Sequence, residues 1–209
     1  ILFTREMDYL EIFAGDASGN PVAANADPPA AFQYVRARTR SGPGNSAWTV
    51  VTYRIAPSGS LERQNANGSW SLVTPQFNGV IYSEEYIPRL TGPGRTNSNQ
   101  PGSARPAVAA FAQLTIVPEE GARITSDLVY EDQPCTGSLR RGANNQVVRA
   151  ECENLDAVNV LGIFSPGGDI EIGHNNWDAD HNAPRDVRIQ ASILTSNGVV
   201  RVEDYNQGS

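Results

Sequence analysis

The chain has 209 residues and a net charge of -7, with 39% hydrophobic and 19% charged residues, 19 Gly and 14 Pro. That is one domain or two small ones, rich in turns, too evenly apolar for disorder along the whole length and able to bury about two thirds of its unfolded surface. No window approaches the roughly eighteen apolar residues of a membrane span, and the acidic C-terminal part, -7 over residues 151–209, speaks against a general nucleic-acid binder.

The chain opens at Ile1 without the basic and apolar blocks of a signal peptide, so it reads as a mature or trimmed piece. Strands are predicted at Tyr9–Ala14, 32–38, 48–55, 60–64 and 69–74, with turns at Ala56-Pro57-Ser58-Gly59 and Asn67-Gly68, which makes an antiparallel meander. A small polar excursion, Gly15 to Pro29, interrupts it. After a short strand at 79–83, the stretch Gly92 to Pro106 reads as a linker or an ordered loop.

From residue 79 onward, short β-branched runs end in Gly-centred turns and never alternate with a helix: 114–117, 123–125, 128–130, 158–164, 170–172, 187–193 and 199–202. The last groups repeat at an offset of thirty, with Ile163 matching Ile193, Gly168 matching Gly198, Ile170 matching Val200 and Ile172 matching Val202. Successive parallel coils explain this, each unable to bury its apolar face alone. Alternation then sends Ile170 and Ile172 inward over Val200 and Val202, and stacks Glu171 on Arg201 outside. Upstream, Val158 and Val160 match Arg188 and Gln190, a phase change that a one-residue bulge would repair. The predicted fold is all-β, a right-handed parallel β-solenoid-like region at 77–209 preceded by a small antiparallel sheet region at 1–76; an irregular β-sandwich is the alternative.

All sixteen basic residues are Arg. They form two patches, Arg36, Arg38, Arg40, Arg54 and Arg63 in the first half, and Arg140, Arg141 and Arg149 further on, read as solvated surface with binding contacts as the alternative. Cys135 and Cys152 flank the second patch in no metal-ligand spacing, and the preferred reading is a disulfide closing the loop 135–152, worth about 3 kcal/mol in the chain-entropy model and pointing outside the cytosol. The loop 173–186 carries His174 and His181, the only histidines, and Asp178, Asp180 and Asn182 at the first, third and fifth positions of a calcium loop. Ala183 and Ile189 then stand where Gly and a bidentate Glu belong, so a solvated loop tip is expected, with calcium the alternative and no other cofactor. Trp177, in the same polar loop with nothing obvious to bury it, is a candidate binding residue, while Trp48 and Trp70 lie in strands. No P-loop, G-x-G-x-x-G, G-x-S-x-G or H-E-x-x-H occurs, so no catalytic residues are assigned.

The phrases "AFAQLTIV", "ITSDLVYED", "NVLGIFSPGGDIEIG" and "DVRIQASILTSNGVVRVEDYNQG", over roughly 77–208, resemble a family of secreted and pilus-associated β-solenoid proteins of the Deinococcus and Thermus lineage that includes the large minor pilin ComZ. The resemblance implies a non-enzymatic, extracytoplasmic structural or adhesive component of a type IV pilus or cell surface. Its partners would be other assembly subunits, with extracellular DNA or a surface glycan as ligand and DNA uptake as one role. It also makes 48–64 comparable to the sheet hairpin of a pilin-like head, although the hydrophobic N-terminal helix of pilins is not in this sequence. The competing classes are a polymeric sheath or S-layer subunit and a secreted carbohydrate-active solenoid enzyme.

Overall fold

The computed structural model describes residues 1–23, 26–44, 46–134, 154–173 and 186–202, and the backbone of 139–141 and 147–150. In chain order the strands are β1 (Leu2–Phe3), β2 (Met7–Gly15), β3 (Phe32–Arg40), β4 (Trp48–Ile55), β5 (Leu61–Gln64), β6 (Trp70–Thr74), β7 (Val80–Ser83) and β8 (Ile87–Thr91). After a 3-10 turn at Pro101–Ser103 come β9 (Gln113–Pro118), β10 (Ala122–Ile124), β11 (Leu139–Arg141), β12 (Val147–Ala150), β13 (Val160–Ser165), β14 (Ile170–Ile172), β15 (Ser192–Thr195) and β16 (Val200–Val202). The fold is all-β.

Two sheets carry the body. One is wholly parallel and runs in sequence order, β1-β7-β9-β13-β15; the other runs β16-β14-β10-β8-β2-β3-β4-β5-β6 and changes from parallel to antiparallel at β2. β2 pairs with β8 on one side and β3 on the other, so the second sheet is continuous across residues 76 and 77. From β7 onward the chain passes through the first sheet, then the second, and then a short third ribbon. That ribbon is held by parallel bridges Val108 to Tyr130 and Leu128 to Ile189.

Stacking is by residue type. Ile81, Ile116, Ile163 and Ile193 are successive partners across the first sheet, at separations of 35, 47 and 30 residues, and the first three are buried. On the second sheet Leu90, Ile124, Ile172 and Val202 make a similar column, beside Ala122, Ile170 and Val200. The pairing at offset thirty runs Gly162 to Ser192 through Ser165 to Thr195 without a shift. No bulge is needed upstream, because Val158 and Val160 are half exposed at positions that alternate with buried Leu161 and Ile163. Val200 and Val202, by contrast, are about half exposed, because β16 is the last strand of its sheet and nothing described lies beyond it.

Two local features fix this geometry. At the corner between the sheets the backbone passes are so close that a Cβ on Gly168 would lie 2.0 Å from the Glu120 carbonyl oxygen, and one on Gly198 2.3 Å from that of Gly168. The matched glycines of the sequence are therefore there for close approach. Inside, the buried Gln33 donates to the carbonyls of Phe13, Tyr34 and Ala107 and accepts from the Ala109 N–H, which ties the antiparallel strands to the third ribbon with all its amide capacity near satisfied.

The expected disulfide requires correction. The structure shows no disulfide bond. The described backbone between the two positions is instead an antiparallel hairpin of β11 and β12 that pairs Leu139 with Ala150. Cys135 and Cys152 themselves lie outside the described residues.

Candidate interaction surface

Alternation along β3 places Gln33, Val35, Ala37 and Thr39 in the interior and turns Phe32, Tyr34, Arg36, Arg38 and Arg40 to the opposite face of the nine-stranded sheet, where Tyr34 is itself covered and buried. The neighbours supply complementary groups at each step. Arg36 meets Glu11 at 2.8 Å, Arg38 meets Asp8 at 2.8 Å and Arg40 meets Glu6 at 3.1 Å. On the other side Arg54 meets Glu62 at 2.6 Å, and Arg89 from β8 shares Asp8 at 2.7 Å.

The same guanidinium groups cover the aromatic rings. Arg40 lies 3.9 Å from the centre of the Trp48 ring, with Arg38 at 5.5 Å. Arg54 lies 4.2 Å from both Phe32 and Trp70, and Arg36 4.9 Å from Phe13, which stacks on Tyr34. A planar cation can stack on a ring and chelate a carboxylate at once, which an ammonium cannot. Exposed pairs of this kind contribute about 0–1 kcal/mol each, so the face is held more by register and packing than by its charges. Farther along the same face, Glu171 gathers Arg123, Arg201 and the Tyr86 hydroxyl.

Electrostatics follow burial. Burial pushes the Glu11 carboxyl up despite Arg36. At Glu171 burial acts in the same direction, but the hydrogen bonds and charges of Arg201 and Arg123 outweigh it and hold the carboxyl below the ordinary glutamate range. Beneath the surface, Arg95 and Asp127 are 3% and 1% exposed and joined by two bonds of 2.6 and 3.0 Å, with Asp186 at 2.7 Å on the third guanidinium nitrogen. This cluster anchors the loop 92–106, which is thereby an ordered part of the body.

Of the residues singled out in the sequence, Arg140 and Arg149 are opposed across the β11–β12 hairpin and Arg141 is opposite Val147; their side chains are outside the described part. Trp177, Asp178, Asp180 and Asn182 lie outside the described residues, as do His174 and His181. Among the described residues no group of three His, Cys, Asp or Glu could hold a metal ion, and no helix is long and apolar enough to cross a membrane. The ion-pair ladder itself escaped sequence reasoning, which saw the arginines but not their partners. The signal available was the alternation Arg36-Ala37-Arg38-Thr39-Arg40, facing the acids Glu6, Asp8 and Glu11 of β2 and its approach. Comparison with protein-family models, with curated proteins and with solved structures finds no significant match for this chain.

Proposed function

We propose that this chain is a non-enzymatic structural and binding module of an extracytoplasmic assembly, a type IV pilus-like or other cell-surface structure. In this reading the parallel strands are the coils of a right-handed β-solenoid, and residues 1–76 form an antiparallel head at one end of it. The observation that carries the reading is the in-register parallel stacking of β7, β9, β13 and β15 in one sheet and of β10, β14 and β16 in the other. Parallel coils stacked in register build a continuous, extended surface, which suits a structural part. The strand wording over 77–208 that resembles the pilus-associated family supports the location. Other subunits are then its partners, with extracellular DNA or a surface glycan as ligand.

Antibody raised against the chain should label filaments or the envelope of intact source cells, and the chain should be recovered with sheared surface structures. Recovery in the cytosolic fraction with no surface label would refute the proposal. The same stacking favours a second reading, a subunit of a polymeric sheath or S-layer. That reading expects the purified chain to form ordered fibres or sheets on concentration, visible by electron microscopy.

A further inference from the structure

One groove is chemically distinct from the balanced face just described. About 270 Å³ in volume, it lies between the Leu2–Arg5 segment and the ends of β3, β4 and β5. Arg5, Arg40 and Arg63 line it, with the hydroxyl-bearing Thr39, Ser41 and Thr49. Arg40 is engaged by Glu6 and Trp48, but Arg5 and Arg63 make no ion pair with any described residue, and Arg5 donates to the Ser41 carbonyl. Arg63 pairs in register with Tyr53, on the same side of β5 as the core residue Leu61, and is exposed there at the mouth of the groove. Two uncompensated guanidinium groups thus meet hydroxyls and the aliphatic surface of Leu2 and Val51 in a chain whose net charge is -7.

We infer that this groove binds a sugar bearing an oxyanion, a carboxylate or a phosphate. Guanidinium forks match both oxyanions bidentately, the threonine and serine hydroxyls match sugar hydroxyls, and the aliphatic walls match a sugar's C–H surface. The net negative charge of the whole chain disfavours a long polyanion and leaves a short ligand with one or two charges. The inference stands whether or not the protein belongs to a surface assembly.

The test is calorimetric titration of the full chain at low salt with glucose 6-phosphate, glucuronate, glucose and inorganic phosphate, with Trp fluorescence followed in parallel because Arg40 lies on the Trp48 ring. Binding of either sugar anion is expected, at least tenfold tighter than glucose and weakened in 0.3 M salt. Arg5→Gln and Arg63→Gln should each weaken it at least tenfold, while Arg105→Gln, outside the groove, leaves it unchanged. No binding of either sugar anion, or equal binding of glucose, would overturn the inference. So would affinity unchanged by Arg63→Gln and Arg5→Gln. Phosphate binding as tightly as glucose 6-phosphate would overturn the assignment to a sugar. Whichever sugar anion binds more tightly identifies the oxyanion.

Discussion

Replacing Asp127 with Ala strikes the most deeply buried charge pair described in this protein. Asp127 takes two bonds from Arg95 and a third, at 2.7 Å, from the backbone N–H of Arg188. Its removal leaves a guanidinium that is 3% exposed with Asp186 as its remaining carboxylate partner, and that aspartate is 54% exposed and well screened. Breaking a buried pair from one side costs about 3–5 kcal/mol. For a chain of this length each kcal/mol lowers the melting temperature by about 2–4 °C, so a fall of roughly 6–20 °C is expected. Urea unfolding should show a lower midpoint with an unchanged slope, which separates lost stability from a change in the unfolded state. The double variant Asp127→Ala with Arg95→Met should recover most of the loss, since it removes the stranded charge rather than its partner. A cost under about 1 kcal/mol for Asp127→Ala, or a double variant less stable than the single, would refute the reasoning.

Three further outcomes are expected. Gly168→Ala should destabilise by several kcal/mol or prevent folding, because its Cβ would fall 2.0 Å from a backbone oxygen that cannot yield cheaply; a melting temperature within 2 °C of the parent would show that the corner has slack. Ile170→Asp buries an unpartnered carboxylate at a position of zero exposure and should cost several kcal/mol, whereas the outward Asp169→Ala should cost about 1 kcal/mol by leaving the Val199 N–H without its acceptor. Equal losses for the two would be inconsistent with the assigned faces. Because the Glu171 carboxyl is held below its ordinary range, its contribution is fully present above the unfolded value, near 4.3, and is lost as pH falls through the folded one. Glu171→Gln should therefore lose stability at neutral pH and flatten the acid limb of a stability profile measured below about pH 4.5; an unchanged limb would remove Glu171 from acid unfolding.

The antiparallel strands were legible because local chemistry writes them. β4 begins and ends where the run from Trp48 to Ile55 does, and Asn67-Gly68 turns β5 into β6. β8 was missed because Pro88 and Arg89 break an apolar run whose inward members are only Ile87 and Leu90. The hairpin of β11 and β12 was missed for lack of alternation in a stretch rich in Arg, Asn and Gly. The offset of thirty revealed the pairing of β13 with β15 and of β14 with β16. The column from Ile81 through Ile116 to Ile163 stayed hidden, because intervening loops of unequal length spread it over 35 and then 47 residues. The salt-bridge ladder was invisible for a related reason: Arg36 and Glu11 are 25 residues apart, and only the β2–β3 register brings them together.

The outer face has a chemical asymmetry that follows from its arginines. A guanidinium does not lose its proton at any pH a protein survives, and this chain has no lysine whose amine could be acetylated, methylated or titrated. The cationic half of each pair on the sheet is therefore a constant, and only the carboxylates can be switched off. The ion pairs of this face weaken in acid but have no corresponding limit in alkali. Reagents and enzymes that act on side-chain amines find nothing on it to change.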